Sequence, residues 1–197
     1  MEIVLATHNL DKCIELEKAL NHSNIKIYTL EDFPEIGHII EDGTSLEENA
    51  FIKSRTVFNL TQIPTISDDT GLEVNALNGE PGIFSARYAG EDCSYLDNVN
   101  KLLLNMRNID DSLREATFRT VVTYVSEDLE LVAEGSVKGI ITRKIKGNKG
   151  FGYDPIFYIK EYNKTFAEMD INEKQSCSHR ANAIRKLQQL FAEKNIF

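Results

Sequence analysis

Apolar and polar positions along the chain switch between two periods. Ile3 to Ala6 is a short apolar run that stops at Thr7-His8-Asn9 and reads as a strand. From Asp11 to Asn21, Cys13, Leu16 and Leu20 fall on one helical face, so strand, polar loop and helix open an α/β unit. Ile25 to Tyr28 predicts a second strand. Ser45-Leu46-Glu47-Glu48 has capping-box spacing and starts a helix to about Asn59. Its stripe of Leu46, Ala50, Lys53 and Val57 puts a lysine where an apolar residue is expected, with Asn49 one turn earlier. Ile63 to Ile66 is strand-like and ends in Ser67-Asp68-Asp69-Thr70-Gly71, and Leu72 to Val74 follows. Ser94-Tyr95-Leu96-Asp97 is a second capping box, leading a helix to about Met106. Thr117 to Val125 and Leu129 to Val137 alternate with period two, which predicts two long antiparallel strands around a turn at Glu127-Asp128. Gly147 to Asp154 is a glycine-rich loop, and Ser178 to Lys194 closes the chain as an amphipathic helix.

This order predicts an α/β fold with one long antiparallel pair. No shift in composition marks a boundary, so residues 1–197 are expected to form a single domain, with two lobes at most. Hydrophobic residues make up 42% and charged residues 27%, values of an ordinary globular chain. Acids outnumber bases 31 to 22, a formal charge of −9, which disfavours a nucleic-acid polymer or an anionic membrane as partner. The start of the chain has no basic leader, and no run approaches the length of a membrane helix. Cys13, Cys93 and Cys177 are odd in number and widely spaced, as reduced thiols of a cytoplasmic protein would be.

Five places could carry chemistry. Thr7-His8-Asn9-Leu10-Asp11-Lys12 joins loop amides, a helix N-terminus and a lysine, a combination that suits phosphate but also suits an ordinary N-cap. The acids Glu41, Asp42, Glu47, Glu48, Asp68 and Asp69 could supply hard oxygen ligands for Mg²⁺, whereas Asp-Asp-Thr-Gly alone also reads as a turn. If strand geometry persists there, Asp68 and Asp69 face opposite ways. Lys53 either reaches an anion or snorkels to solvent. Lys146-Gly147-Asn148-Lys149-Gly150-Phe151-Gly152-Tyr153-Asp154 offers two aromatic faces on which a base could stack. Lys174 and Ser178-His179-Arg180 place basic groups at a helix N-terminus, against the macrodipole. Together these suit a nucleoside triphosphate bound through Mg²⁺.

The motifs resemble, over nearly the whole chain and in order, those of the inosine triphosphate pyrophosphatase family. They are Thr7-x-Asn9-x-x-Lys12, Glu41-Asp42-Gly43 with Glu48-Asn49-Ala50, Lys53, Asp68-Asp69-Thr70-Gly71-Leu72, Pro81 to Tyr88, Phe151 to Pro155, and Lys174 with Ser178-His179-Arg180. His8 and Thr70 stand where many members have Gly and Ser. The resemblance implies a bilobed α/β domain with a mixed central sheet, helices on both sides and the site in the cleft between lobes. It implies a homodimer and Mg²⁺-dependent hydrolysis of ITP, dITP or XTP to the monophosphate and pyrophosphate, cleansing the nucleotide pool. Asp69 would be general base and, with Glu41, metal ligand. Lys53 would assist catalysis, and the substrate would be held by Thr7, His8, Asn9, Leu10, Asp11, Lys12 and Thr70. Phe151, Gly152, Tyr153, Asp154, Lys174, His179 and Arg180 would recognise the base. A donor set aimed at O6 would discriminate against adenine. An aspartic protease is a poor fit, because adjacent Asp68 and Asp69 do not make a facing dyad. A nucleotide sensor would need no general base, and Maf-type pyrophosphatases are the nearest enzymatic alternative.

Overall fold

The computed structural model describes residues 1–20 and 25–196. The elements run β1 (Glu2–Leu5), α1 (Leu10–Ala19), β2 (Lys26–Thr29), α2 (Leu46–Thr61), β3 (Thr65–Val74) and β4 (Pro81–Gly82). They continue with α3 (Tyr95–Asn105), β5 (Glu115–Val125), β6 (Glu130–Ile141), β7 (Phe157–Ile159), β8 (Lys164–Thr165), α4 (Ile171–Cys177) and α5 (His179–Glu193). The expected end of the first helix at Asn21 lies outside the described residues. The others match their sequence patterns to within a few residues, except that β3 joins two expected pieces into one strand and that β4, β7, β8 and α4 had no expectation.

Among the described residues eight strands form one mixed sheet with the path β2-β1-β3-β5-β6-β7-β8, and β4 pairs with β3. β1 runs parallel to β2, with Ile3 opposite Ile27, and parallel to β3, with Leu5 opposite Ile66. β4 on β3, β7 on β6 and β8 on β7 are antiparallel. The long pair β5–β6 turns where the alternation breaks, closed by the Ser126 N–H donating to Leu129 O at 2.9 Å. The α/β class with a mixed sheet and a long hairpin is therefore as expected.

One expectation is corrected. Ser67-Asp68-Asp69-Thr70-Gly71 is not a turn between two strands, because β3 runs through it without a break. Its polar side chains have buried partners in place of water. Ser67 Oγ donates to Ala50 O, and its oxygen lies 3.2 Å from Thr123 Oγ1.

The chain divides into two compact units: Met1–Asp69 with Thr120–Gly135 and His179–Phe197, and Thr70–Arg119 with Ser136–Ser178. In the first, β1 is buried on both faces. Ile3 and Leu5 pack with Leu16 and Leu20 beside α1 and with Ile184, Leu187 and Phe191 of α5. Val4 and Ala6 pack on the other face with Leu30, Ile36 and Val57 of α2. Beyond exposed Glu2, a segment covered on both sides must be apolar, which explains the unbroken run from Ile3 to Ala6. Gly135 on β6 admits α5 closely: a Cβ there would lie 2.2 Å from both His179 O and Ala183 N. In the second unit Leu72 and Val74 of β3 pack with Val99 and Leu102 of α3, Phe118 of β5 and Phe157 of β7.

Candidate functional site

In the first unit β3 presents its two acids to different helices, as a period of two demands. Asp68 shares the face of Ile66, toward α1 and α5. It is fully buried, and Arg180 donates to its Oδ2 from Nε at 3.0 Å and Nη2 at 2.9 Å. Lys12 Nζ lies 3.4 Å from the same oxygen. The remaining arm of Arg180, Nη1, donates to the buried carboxylate of Glu15 on α1. Burial would raise the Asp68 pKa, but Lys12, Arg180 and Lys53 outweigh it and hold the carboxyl well below the usual range. A buried Arg so clasped stays charged and fixes both carboxylates in place. The positive charge in the first turn of α5 is thus compensated, by two acids distant in sequence.

Asp69 shares the opposite face with Ser67, toward α2. Its Oδ1 lies 3.6 Å from Lys53 Nζ, and that ammonium also donates to Glu41. Asn49 Nδ2 reaches Asp69 Oδ2 at 3.4 Å. Lys53 is buried and goes to these anions rather than to solvent. Burial raises the Asp69 pKa. Lys53 and Lys12 pull it back, while Glu41 and Asp68 add to the rise. A half-hidden carboxylate with a raised pKa beside a lysine has the character of a general base. Among the described residues no group of three or more His, Cys, Asp or Glu gathers as a metal site. Glu41 and Asp69 converge on one ammonium, however, and two carboxylates are the share of ligands a protein normally gives Mg²⁺.

The loop before α1 is ordered by an N-cap. Asn9 is the N-cap, its Oδ1 accepting from Lys12 N–H at 3.1 Å, and Thr7 Oγ1 accepts from Asn9 N–H at 3.2 Å. Leu10 is exposed, Asp11 sits in the first turn, and His8 Nε2 lies 3.2 Å from Gly37 O. Thr70 follows Asp69 on β3, and buried His179 opens α5.

The second unit holds the other candidate group. Asp154 is buried, accepts from Phe151 N–H at 3.0 Å and receives the Lys174 ammonium. That ammonium lies 4.9 Å from the centroid of the Phe151 ring, which is itself 5.8 Å from the Tyr95 ring. Gly150, at φ +67°, is required here, because a Cβ would stand 2.0 Å from Asp154 Oδ2. Tyr153 belongs to the core, with its hydroxyl donating to Ser85 O at 3.0 Å, whereas Phe151 is only partly buried. Of the two aromatics, Phe151 is the one outside the core cluster.

The Ham1 family model matches residues 3–190. The chain belongs to the Ham1 family. It is 42% identical over 193 residues to a protein of Listeria innocua named dITP/XTP pyrophosphatase, spanning 98% of this chain and 95% of that one. A protein of the same name from Elusimicrobium minutum is 43% identical over 192 residues, spanning 95% and 98%. The Ham1 protein of Staphylococcus aureus superposes with a TM-score of 0.87 at 38% identity, over 98% of this chain and 100% of that one. A Mycobacterium abscessus structure described as a nucleoside-triphosphatase and dITP/XTP pyrophosphatase gives 0.75 at 39% identity, over 95% and 98%. Ham1 membership bears out the family resemblance read from the motifs. No helix among the described residues is long and apolar enough to cross a membrane.

Two features of this Ham1 chain escape the sequence reading. Glu15 lies three residues after Lys12, hence on the same side of α1, a spacing that could have linked them. The second is α4, the helix that carries the expected Lys174, whose N-cap Asp170 and Glu173 form a capping box readable in the sequence.

Proposed function

We propose that this chain hydrolyses non-standard purine nucleoside triphosphates, dITP, ITP and XTP, to the nucleoside monophosphate and pyrophosphate. The observation that carries the reading is Asp69, a carboxylate of raised pKa sharing Lys53 with Glu41. The relatives' printed names supply the substrate class. In the reaction a water oxygen bonds to the α-phosphorus, and the bond from that phosphorus to the α,β-bridging oxygen breaks. Asp69 takes the water proton, and pyrophosphate leaves with the bridging oxygen.

Lys12 and the capped loop from Thr7 to Asp11 would bind phosphate oxygens, with Thr70 assisting. Glu41 and Asp69 would hold Mg²⁺, which supplies polarisation of the phosphoryl group when bound. Lys53 keeps the two acids together and offsets their mutual repulsion. Phe151 offers the stacking face for the base, and Lys174 with Asp154 sets the loop that carries it, Gly152 and Tyr153 included. His179 belongs with the base-recognising residues. Arg180, whose guanidinium bonds Asp68 and Glu15, is assigned the role of fixing Asp68 and the head of α5. The reading includes a homodimer working in the cytoplasm.

Hydrolysis of dITP with Mg²⁺ in ¹⁸O-water tests the chemistry. One label in dIMP and unlabelled pyrophosphate are expected. Label in pyrophosphate, or stepwise release of orthophosphate, would reject attack at the α-phosphorus.

A further inference from the structure

The motif Glu48-Asn49-Ala50 and the glycine of Glu41-Asp42-Gly43 have no part in the roles assigned so far. Asn49 is 2% exposed, on the first turns of α2. Its Oδ1 accepts from the Gly43 N–H at 2.9 Å. This bond sets the orientation of the amide, since an N–H can donate only to the carbonyl end, and so Nδ2 is the end turned to Asp69 Oδ2 at 3.4 Å. The fit at Gly43 is close: a Cβ there would stand 2.7 Å from Asn49 Oδ1 and 2.8 Å from Glu48 Cβ. The loop is further tied to α2 by Glu48, whose Oε2 accepts from the hydroxyl of Thr44 at 2.8 Å.

We infer that Asn49 is a positioning residue, whose carboxamide clamps the Gly43 backbone to Asp69 and thereby sets the spacing of the Glu41 and Asp69 carboxylates. Glu41 lies two residues before the clamped amide, on a segment with no regular structure of its own. Lys53 attracts both acids but, as a flexible single charge, does not define the distance between them. A neutral amide with one end spoken for does. This inference rests on the reading of Glu41 and Asp69 as a metal-binding pair. Residues that orient metal ligands in this way commonly change metal affinity or activity by about 10–100-fold when removed.

The test uses Asn49→Ala, Asn49→Asp and Gly43→Ala in the full chain, each checked for thermal midpoint. In Asn49→Ala the Mg²⁺ concentration for half-maximal dITP turnover should rise about 10-fold while KM for dITP moves less than about 3-fold. Asn49→Asp should be worse than Asn49→Ala, because the new carboxylate faces Asp69. Gly43→Ala should disturb the clamp from the loop side, since its Cβ would crowd Asn49 Oδ1 and Glu48 Cβ. Amide hydrogen exchange gives a readout independent of turnover: Gly43 N–H should be protected in the wild type and lose protection in Asn49→Ala. Unchanged Gly43 exchange, or a Mg²⁺ requirement within 2-fold of wild type in Asn49→Ala, would overturn the inference. So would a loss of turnover that only follows the unfolded fraction. Absence of dITP hydrolysis by the wild type would reject the hydrolase reading instead, and the exchange measurement would still decide the clamp.

Discussion

Replacing Arg180 with Met keeps much of the side chain's length and removes its charge. The guanidinium makes two bonds to Asp68 and one to Glu15, and all three side chains are buried. Lys12 stays beside Asp68 in the variant, whereas Glu15 loses the guanidinium bond. Breaking a buried ion pair from one side costs roughly 3–5 kcal/mol, a large part of the ~5–15 kcal/mol that holds a domain folded. At about 2–4 °C per kcal/mol for a chain of this size, the midpoint should fall by ~6–20 °C. The loss should depend on pH. Asp68 has a folded pKa below its unfolded value, so its stabilisation is present above the ordinary carboxylate pKa and lost as pH falls through the folded one. The gap between wild type and variant should therefore be full from pH 7 down to the ordinary carboxylate range and narrow only below it. Adding Glu15→Gln should recover roughly 1–2 kcal/mol, because it removes one of the stranded acids. Urea unfolding at several pH values measures all of this. A variant within about 1 kcal/mol of wild type, with a gap flat in pH, would refute the buried network and favour a role for Arg180 at the base alone.

Asp69→Asn should reduce dITP turnover by at least about 10²-fold and yet raise the urea midpoint at neutral pH. A raised folded pKa means that the stabilisation Asp69 gives is complete only below its unfolded pKa and is lost as pH rises through the folded one. An unchanged kcat would remove Asp69 from the role of base. Gly135→Ala should cost at least ~1–3 kcal/mol, since the added methyl meets the backbone of α5 and not a movable side chain. Denaturant unfolding checks it, and a neutral result would mean that α5 can move away freely. The Cys13 thiol is pushed up to about 11, chiefly by burial and then by Glu17 and Asp68. Iodoacetamide at pH 8 should modify partly exposed Cys93 well before Cys13, as peptide mass spectrometry would show. Equal rates would contradict the burial of Cys13.

What the sequence discloses depends on whether a residue's partners are near it in the chain. Capping boxes announce α2 and α3, and alternation announces β5 and β6, because these signals are local. The alternation rule also assigns Asp68 and Asp69 to opposite faces on sequence grounds alone. It does not say that the segment continues as a strand. Five polar or small residues in a row look like a turn, and the groups that make them tolerable inside the sheet lie far away, Arg180 among them. Lys53 is legible as an anomaly on an apolar stripe, but its target Glu41 sits on an irregular segment with no periodicity. Phe151 and Tyr153 look alike as candidate stacking faces. The bond from Tyr153 to Ser85, made through folding of the second unit, is what assigns Tyr153 to the core.

The central claim is hydrolysis at the α-phosphate of non-standard purine nucleoside triphosphates. Pyrophosphate release from dITP, ITP, XTP, dATP and GTP at equal concentration with Mg²⁺ tests it most directly. Rapid release from dITP, ITP and XTP, with little from dATP and GTP, is predicted. Slow release without preference among the five would contradict the account.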